Sequence, residues 1–507
     1  MNEKLGKNSL AFILVLGLFM RLLGIFSRPI WYDEALSLLY AQTSPSEIVY
    51  AMLGSGAQAA NVHPPTFFIT LWVWGALFGH SVVTARLLSV ILGLLTIWVI
   101  YLLIDELFAD TALASKGAFI VAISPFHIHY SHEIRMYSGM AFFLILGTFF
   151  YIKSVKTLKN RWWILFAISA ALSQYMQSLA VFYLLVLASS ALFTRQIQVI
   201  KKTLLAGLGA LLLYLPWLVQ LPSQLSKIQS AYWVERPGIE KVFTLLLVYV
   251  SNLPLPEILL PWALFVAVLV AFLATYQTVQ AVRYSDKKNK FVLGAWLAYL
   301  AIAPALTMFL VSLWVPVFLE RALLASGSMF LLWMVWAMYK TRLPAMVTRV
   351  VLLMLLSVFG MGIYQHVTYA DFPYAPYKEI VETLKKEAGQ GGIIIHSSKL
   401  SMLPTYYYDP QLPQVFIADL PGSQTDTLAR ETQQVLGVQS ISELSVATAD
   451  FDVVFLVIFQ KSLDEAQKTG LSMHPHVAWM RENFIQEDGR AFGSIWVFKY
   501  LRHKAAR

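Results

Sequence analysis

Long apolar runs separated by short basic stretches dominate this chain, and they leave few folds open to it. A run of about 18 or more apolar residues crosses ~30 Å of hydrocarbon as a helix, which satisfies its own backbone hydrogen bonds where no water can. Apolar runs occupy 9–26, 82–104, 112–129, 138–152, 203–219, 257–280, 291–313, 321–338 and 345–364. The stretch 162–193 is too long for one pass and divides near Ser173–Gln177. Together they predict about eleven transmembrane helices. Composition agrees, because a chain 58% hydrophobic and 13% charged is neither disordered nor an ordinary soluble protein.

The net charge of +9 is a topology signal and excludes nucleic acid as the reading of the basic residues, because they cluster in short loops between apolar runs. Lys4 and Lys7 precede the first helix, which predicts a cytoplasmic N-terminus. No small-residue cleavage site follows that helix, so it is expected to be retained and not removed as a signal peptide. Residues 27–62 read as an outer loop, with Ser44-Pro45-Ser46-Glu47 starting a short amphipathic helix on the membrane surface. The run Thr66–Phe78 spans only ~20 Å as helix and is expected in or against the outer interface. If it does not cross, the basic loop Lys153, Lys156, Lys159 and Arg161 falls inside, as do Arg195, Lys201, Lys202, Arg283, Lys287, Lys288, Lys290, Lys340 and Arg342. The loop at 105–117 fits least well, with one Lys against Asp105, Glu106 and Asp110.

Composition changes near residue 370, dividing the chain into a transmembrane region, 1–368, and a second unit, 369–507. Pro373 and Pro376 mark a linker, and Tyr377–Ala388 has helical spacing. Ile393–Ile395, Phe451–Ile458 and Ser494–Phe498 read as buried strands. The expected C-terminal α/β domain lies outside, after an odd number of crossings. There is no cysteine, hence no disulfide, Cys metal ligand or thiol nucleophile.

This topology gathers polar clusters at the outer face. Asp33 and Glu34 follow the first helix beside Trp31 and Tyr32, and His63 lies further along the same loop. The second outer loop holds His127, His129, His132, Glu133, Arg135 and Tyr137, and Glu320–Arg321 opens the tenth helix. Each has a plainer explanation as well: a polar loop for Asp33–Glu34, a snorkelling arginine for Arg135, a surface pair for Glu320–Arg321. As a set they suit one chemistry. Moving a sugar from a lipid-linked phosphate to a hydroxyl needs a base for the proton and fixed positive charge for the departing phosphate. Arginine binds phosphate oxygens in a planar fork and stays charged.

The order of several motifs resembles the multi-spanning glycosyltransferases that use polyprenyl-phosphate sugars, the protein O-mannosyltransferase and lipid A aminoarabinose transferase group. The resemblance rests on Trp31-Tyr32-Asp33-Glu34, His63-Pro64-Pro65-Thr66-Phe67-Phe68 running to Leu77-Phe78-Gly79, and Ala85-Arg86-Leu87-Leu88-Ser89. It continues through Ser124-Pro125, Ser131-His132-Glu133-Ile134-Arg135-Met136-Tyr137 and Glu320-Arg321-Ala322-Leu323-Leu324. It covers the first 140 residues well and the rest in outline.

The resemblance implies a GT-C-like fold and a polyprenyl-phosphate-linked donor. Asp33 becomes the catalytic base and Glu34 its companion, holding the loop or the acceptor. Arg135 would meet the donor phosphate, with Glu133 and Tyr137 shaping that site and Arg321 a second phosphate ligand. His63 and His132 are candidate acceptor or loop contacts. Ala322 stands where the family often has Tyr, which weakens the case for Arg321. No cofactor is established, and His127, His129 and His132 leave a divalent metal open, against the plainer reading of polar helix caps. Tyr406–Tyr408 reads as aromatic strand packing or a sugar-stacking run.

The chain shows no counterpart of the lumenal repeat domain of eukaryotic protein mannosyltransferases. That favours glycolipid, lipopolysaccharide or cell-surface polymer as acceptor over protein. Two other function classes remain: a ligase or polymerase using lipid-diphosphate-linked glycans, and a non-enzymatic glycolipid transporter or flippase. Neither the large Arg- and His-rich loop of the first nor the midplane charges of the second are evident.

Overall fold

A computed structural model describes residues 2–53, 63–230, 234–284, 292–341, 343–388, 391–419 and 428–503. Lys287, Lys288, Lys290 and Arg342 of the basic loops lie outside the described residues. A helix stands at each apolar run. Seven are long and apolar enough to span a membrane: Val82–Phe108, Tyr137–Thr157, Ile197–Leu218, Glu257–Arg283, Leu293–Ser312, Glu320–Tyr339 and Ala345–Thr368. An eighth forms if the bent pair Thr111–Ala122 and Pro125–His132 is one span. Asn8–Leu22 and Ala180–Thr194 are shorter apolar helices, and Asn160–Met176 has 17 residues. The protein is a multi-pass helical membrane protein, and a count of about eleven crossings treats these shorter helices as spans.

The long run at 162–193 breaks at Gln177, whose backbone is extended (φ −154°, ψ 121°). A second break, inside the run expected to be one helix at 112–129, has a cause in the sequence. Pro125 removes a backbone donor and drives Ser124 out of helical geometry, here to φ −67° and ψ 123°. The chain restarts with Pro125 in the first turn and a bend of 56°. That bend turns the histidine-rich segment into the protein.

The region expected as an outer loop also departs from expectation. Asp33 and Glu34 sit in the first turn of a helix, Tyr32–Tyr40, where carboxylates complement the helix dipole. Apolar Ala35, Leu36, Leu38 and Leu39 then bury the rest of it. The capping box predicted at Ser44 is formed: the Ser44 amide donates to Glu47 Oε2 (2.8 Å), and the Glu47 amide donates to Ser44 Oγ (3.3 Å). The helix it starts, Pro45–Leu53, packs on Arg430–Leu436 of the C-terminal domain.

Ion pairs tie loops together at one end of the bundle. Glu106 meets Lys153 and Lys156, and Asp110 meets Lys340 at 2.6 Å. Two of the three acids that made 105–117 an awkward loop, Glu106 and Asp110, thus pair with basic residues of neighbouring loops. The opposite end carries Asp33, His63, Arg135, Arg321 and the C-terminal domain.

That domain is a six-stranded sheet ordered β3-β2-β1-β4-β6-β5. The strands are β1 Gly392–His396, β2 Gln414–Ile417, β3 Ser440–Ile441, β4 Val453–Phe459, β5 Phe484–Phe492 and β6 Ile495–Arg502. β1 to β4 pair in parallel, and β6 and β5 extend the edge antiparallel. Both faces are covered, which is why β1 and β4 read as unbroken apolar runs. Ile393 and Ile395 enter the core with Met480, and Ile394 enters the opposite one with Ile380 and Leu384. Tyr406–Tyr408 end a helix, Lys399–Tyr408, and are not strand residues. That helix packs on Tyr32–Tyr40, and Tyr407 Oη donates to the His80 carbonyl (3.2 Å). The carboxyl ends of the parallel strands therefore face the polar end of the bundle.

Gly362 lets the Ala345–Thr368 helix approach this end closely. A Cβ there would lie 2.0 Å from the Ser251 carbonyl oxygen, so Gly362→Ala must push backbone apart. Such overpacking costs about 1–3 kcal/mol, and the variant is expected to melt below wild type in detergent.

Candidate active site

The site is built on a buried ion pair. Arg86, near the start of Val82–Phe108, gives its Nε to Glu34 Oε1 (3.0 Å) and its Nη2 to Glu34 Oε2 (2.9 Å). Its Nη1 donates to the carbonyls of Ile25 (3.0 Å) and Arg28 (2.9 Å), and Nη2 also to that of Pro29 (3.2 Å). These contacts use the full donor set of a guanidinium. Glu34 Oε1 further accepts from the Ile134 amide (3.3 Å). One arginine thus fixes the chain from Ile25 to Glu34, and Glu34 ties it to the segment carrying Glu133 and Arg135. Both oxygens of Glu34 are occupied, so its geometry is that of a residue holding the loop.

Asp33 faces the other way. Its Oδ2 lies 3.2 Å from Arg321 Nη1 and 3.6 Å from Arg135 Nε. Arg135 Nη1 reaches Ser37 Oγ at 3.5 Å, and the Arg321 guanidinium stands 5.1 Å over the Tyr137 ring. His63 lies against the same cluster, its Nδ1 3.3 Å from Gln177 Nε2. Burial alone would raise the Asp33 carboxyl, but Arg135 and Arg321, with His63 adding, outweigh it and hold Asp33 below the ordinary carboxylate value. Burial, then Arg135 and Arg321, push His63 down to about 3 against the pull of Asp33. At neutral pH the centre therefore holds an ionised Asp33, two guanidinium groups and an uncharged imidazole.

Beside it opens a cavity of about 650 Å³ between the bundle and the C-terminal domain. Arg321 lines it, as do Arg28, Trp31, His129, Glu133 and His366, and Lys461 enters from the end of β4. In an open parallel sheet, ligands sit outside the strands' carboxyl ends where strand order reverses, here between β1 and β4. Two buried polar atoms of residues lining this space, Trp31 Nε1 and Glu133 Oε2, and a third beneath Arg321, Tyr137 Oη, have no hydrogen-bond partner among the described residues. Buried polar groups are seldom left so.

The histidines do not converge as a ligand set. His127 turns to Ser328 Oγ (3.0 Å). His132 places Nδ1 2.7 Å from His366 Nε2 and Nε2 against the Arg21 carbonyl (2.5 Å). His129 places Nδ1 3.1 Å from His366 Nδ1 and Nε2 3.2 Å from Glu133 Oε1. Among the described residues, no group of three or more His, Cys, Asp or Glu has a metal-site arrangement.

Of the residues singled out from the sequence, Asp33, Arg135, Tyr137, Arg321 and His63 are gathered at one centre. Glu133 borders it through the cavity, Glu34 stands behind it, and His132 lies in the imidazole chain. Sequence reasoning missed Arg28, Arg86, Gln177, His366 and Lys461 as members. Arg86 carried a signal, since an ionisable residue inside an apolar run calls for a partner. Lys461 carried none, being one lysine on a soluble helix.

Residues 62–219 match the family described as Dolichyl-phosphate-mannose-protein mannosyltransferase. No curated protein sequence matches the chain. Among solved structures, ArnT from Cupriavidus metallidurans in the apo state superposes with a TM-score of 0.60, at 13% identity and over 97% of both chains. The same protein bound to undecaprenyl phosphate gives 0.58, also at 13% identity and 97% of both chains. The chain thus shares the fold of these ArnT structures over nearly its whole length, and residues 62–219 are similar to the mannosyltransferase family.

Proposed function

We propose that this protein transfers a sugar, with inversion, from a polyprenyl phosphate carrier to an acceptor hydroxyl at the membrane face bearing Asp33 and the C-terminal domain. With the basic loops in the cytoplasm, that face is the outer one. The observation that carries the reading is the pairing of Asp33 with a buried Arg135 and a half-buried Arg321 beside a large polar cavity. Inversion is a single displacement: the acceptor oxygen bonds to the anomeric carbon as the carbon–phosphate oxygen bond breaks. The electron pair leaves on the polyprenyl phosphate. Arg135 and Arg321 stabilise that charge in a largely buried site, where water screens them less than at an open surface. Asp33 keeps both guanidinium groups oriented before the donor arrives and, once the donor phosphate takes them over, receives the acceptor's hydroxyl proton, and His63 offers a hydrogen bond without a further charge. The undecaprenyl phosphate bound to a relative of the same fold supports the carrier class. Glycolipids, cell-surface polymers and proteins are the acceptor classes that present a hydroxyl at this face.

The test follows the sugar–phosphate bond. Proteoliposomes receive a polyprenyl-phosphate sugar labelled in both sugar and lipid, with a membrane extract as acceptor. Transfer releases free polyprenyl phosphate and moves the sugar label to another molecule. A transporter moves both labels together with the bond intact, and that result would remove the transferase reading.

A further inference from the structure

We infer that the acceptor is anionic, a hydroxylated molecule that carries an oxyanion beside its reacting hydroxyl, and that Arg28, with Trp31 and Lys461, holds that oxyanion in the cavity. The inference rests on the transfer reading above and names the substrate class which that reading leaves open.

The arginines around the site differ in what they already hold. Arg86 gives its donors to Glu34 and three carbonyls, and Arg135 and Arg321 face Asp33. Arg28 has neutral company. Its Nη1 lies against the His366 imidazole, its Nη2 against Tyr374 Oη, and its guanidinium 4.4 Å over the Tyr374 ring. No carboxylate among the described residues pairs with it. A guanidinium has five donors, so several remain for a ligand. A half-buried charge with neutral partners alone is unfavourable, and an arriving anion relieves it. The segment is held in advance, because the Arg28 carbonyl accepts from Arg86 Nη1 at 2.9 Å. Little ordering is left for the ligand to impose.

Arg28 lines the cavity of about 650 Å³, a size that suits a headgroup or a terminal sugar. Two more donors belong to the same wall. Trp31 Nε1 is buried without a partner among the described residues. Lys461 comes from the first turn of the helix Gln460–Lys468, with Nζ 4.3 Å over the Phe372 ring and 3.7 Å from the exposed Glu465. Two acids also line the space. Asp371 is exposed, and Glu133 meets His129 through Oε1 and leaves Oε2 bare. A bare carboxylate oxygen suits a hydroxyl, and the N–H groups opposite suit an oxyanion. A molecule with both completes the wall, whereas a neutral sugar or a Ser or Thr side chain leaves Arg28 without its counter-charge. Arg321 lines this cavity and lies 3.2 Å from Asp33, so a molecule anchored at Arg28 can extend toward the transfer centre.

The test divides the membrane extract on an anion exchanger and offers each fraction, with labelled donor, to the protein in proteoliposomes. The retained, anionic fraction should accept the sugar, and the unretained one should not. With the retained fraction, Arg28→Ala should raise the acceptor KM about 10–100-fold, the worth of a hydrogen bond to a charged group, with the donor KM as in wild type. Arg28→Lys should recover part of this, since it keeps the charge and loses the fork. Lys461→Ala, at an exposed position where folding is not at stake, should raise the acceptor KM severalfold. Label that then enters an organic extract marks an anionic lipid, and label that stays in water marks an anionic polymer; either supports the inference. Transfer to the unretained fraction, or an acceptor KM unchanged in folded Arg28→Ala and in Lys461→Ala, overturns it and leaves the transferase reading intact. A raised donor KM in Arg28→Ala overturns it too, by giving Arg28 to the donor phosphate. A wild type that never releases polyprenyl phosphate overturns the transferase reading and this one with it.

Discussion

Arg321→Ala and Arg135→Ala are expected to lower transfer by about 10²–10⁴-fold each, as charge-stabilising groups at a departing phosphate do. The loss should appear in kcat more than in KM, because the phosphate carries most charge as its bond to the sugar breaks. The double variant should lose less than the product of the two, since both guanidinium groups are oriented by the one Asp33 oxygen. Arg321→Lys should recover little, because an ammonium can neither fork across two oxygens nor lie flat over the Tyr137 ring. These pairs also have a pH consequence. A carboxyl held below its ordinary value contributes stability that is present above that value and lost as pH falls through the depressed one. With both arginines removed, burial raises Asp33 above its ordinary value, so this acid-side loss should be absent from the variant. Urea melts of wild type and the double variant between pH 3 and 6 check this.

Arg86→Ala is expected to lower stability by about 3–5 kcal/mol, the range for removing one partner of a buried pair. Glu34 would be left buried without its partner, and the carbonyls of Ile25, Arg28 and Pro29 would lose their donor. Replacing both partners, Arg86→Met with Glu34→Gln, should recover part of this, because no unpaired charge then remains. Activity should not return with stability, since Asp33 adjoins the loosened segment. Thermal melting in detergent, beside transfer rates of the same samples, separates the two effects.

How far the fold was legible follows from the physics of each region. Hydrocarbon thickness and backbone satisfaction permit little besides helices, so every apolar run marked a helix, and Gln177 ended one near the expected place. Bends and re-entries follow from single residues with several outcomes. Pro125 could have kinked a continuous helix, and instead it turned His129, His132 and Glu133 inward. Residues 32–40 read as loop because nine residues seldom form a stable helix alone; tertiary burial of Leu36, Leu38 and Leu39 decided the matter. In the C-terminal domain the doubly covered strands β1 and β4 were evident, whereas β5, half polar on an edge, was not. The site was partly legible. Asp33, Arg135 and Arg321 are 102 and 186 residues apart along the chain, and the motif order, more than spacing, linked them. The imidazole chain was hidden because His366 sits in the last long helix, far from the other two histidines, with nothing in its neighbours to suggest a partner.

The most direct test of the central claim, that Asp33 and its two arginines are the transfer centre, is release of free polyprenyl phosphate by Asp33→Asn. The measurement uses purified protein in proteoliposomes at matched expression and melting temperature. The structure predicts release at least about 10²-fold below wild type, because an amide cannot hold two guanidinium groups in register. Release at the wild-type rate from a folded Asp33→Asn protein would contradict it, and would leave the cluster as an anchor at the membrane surface.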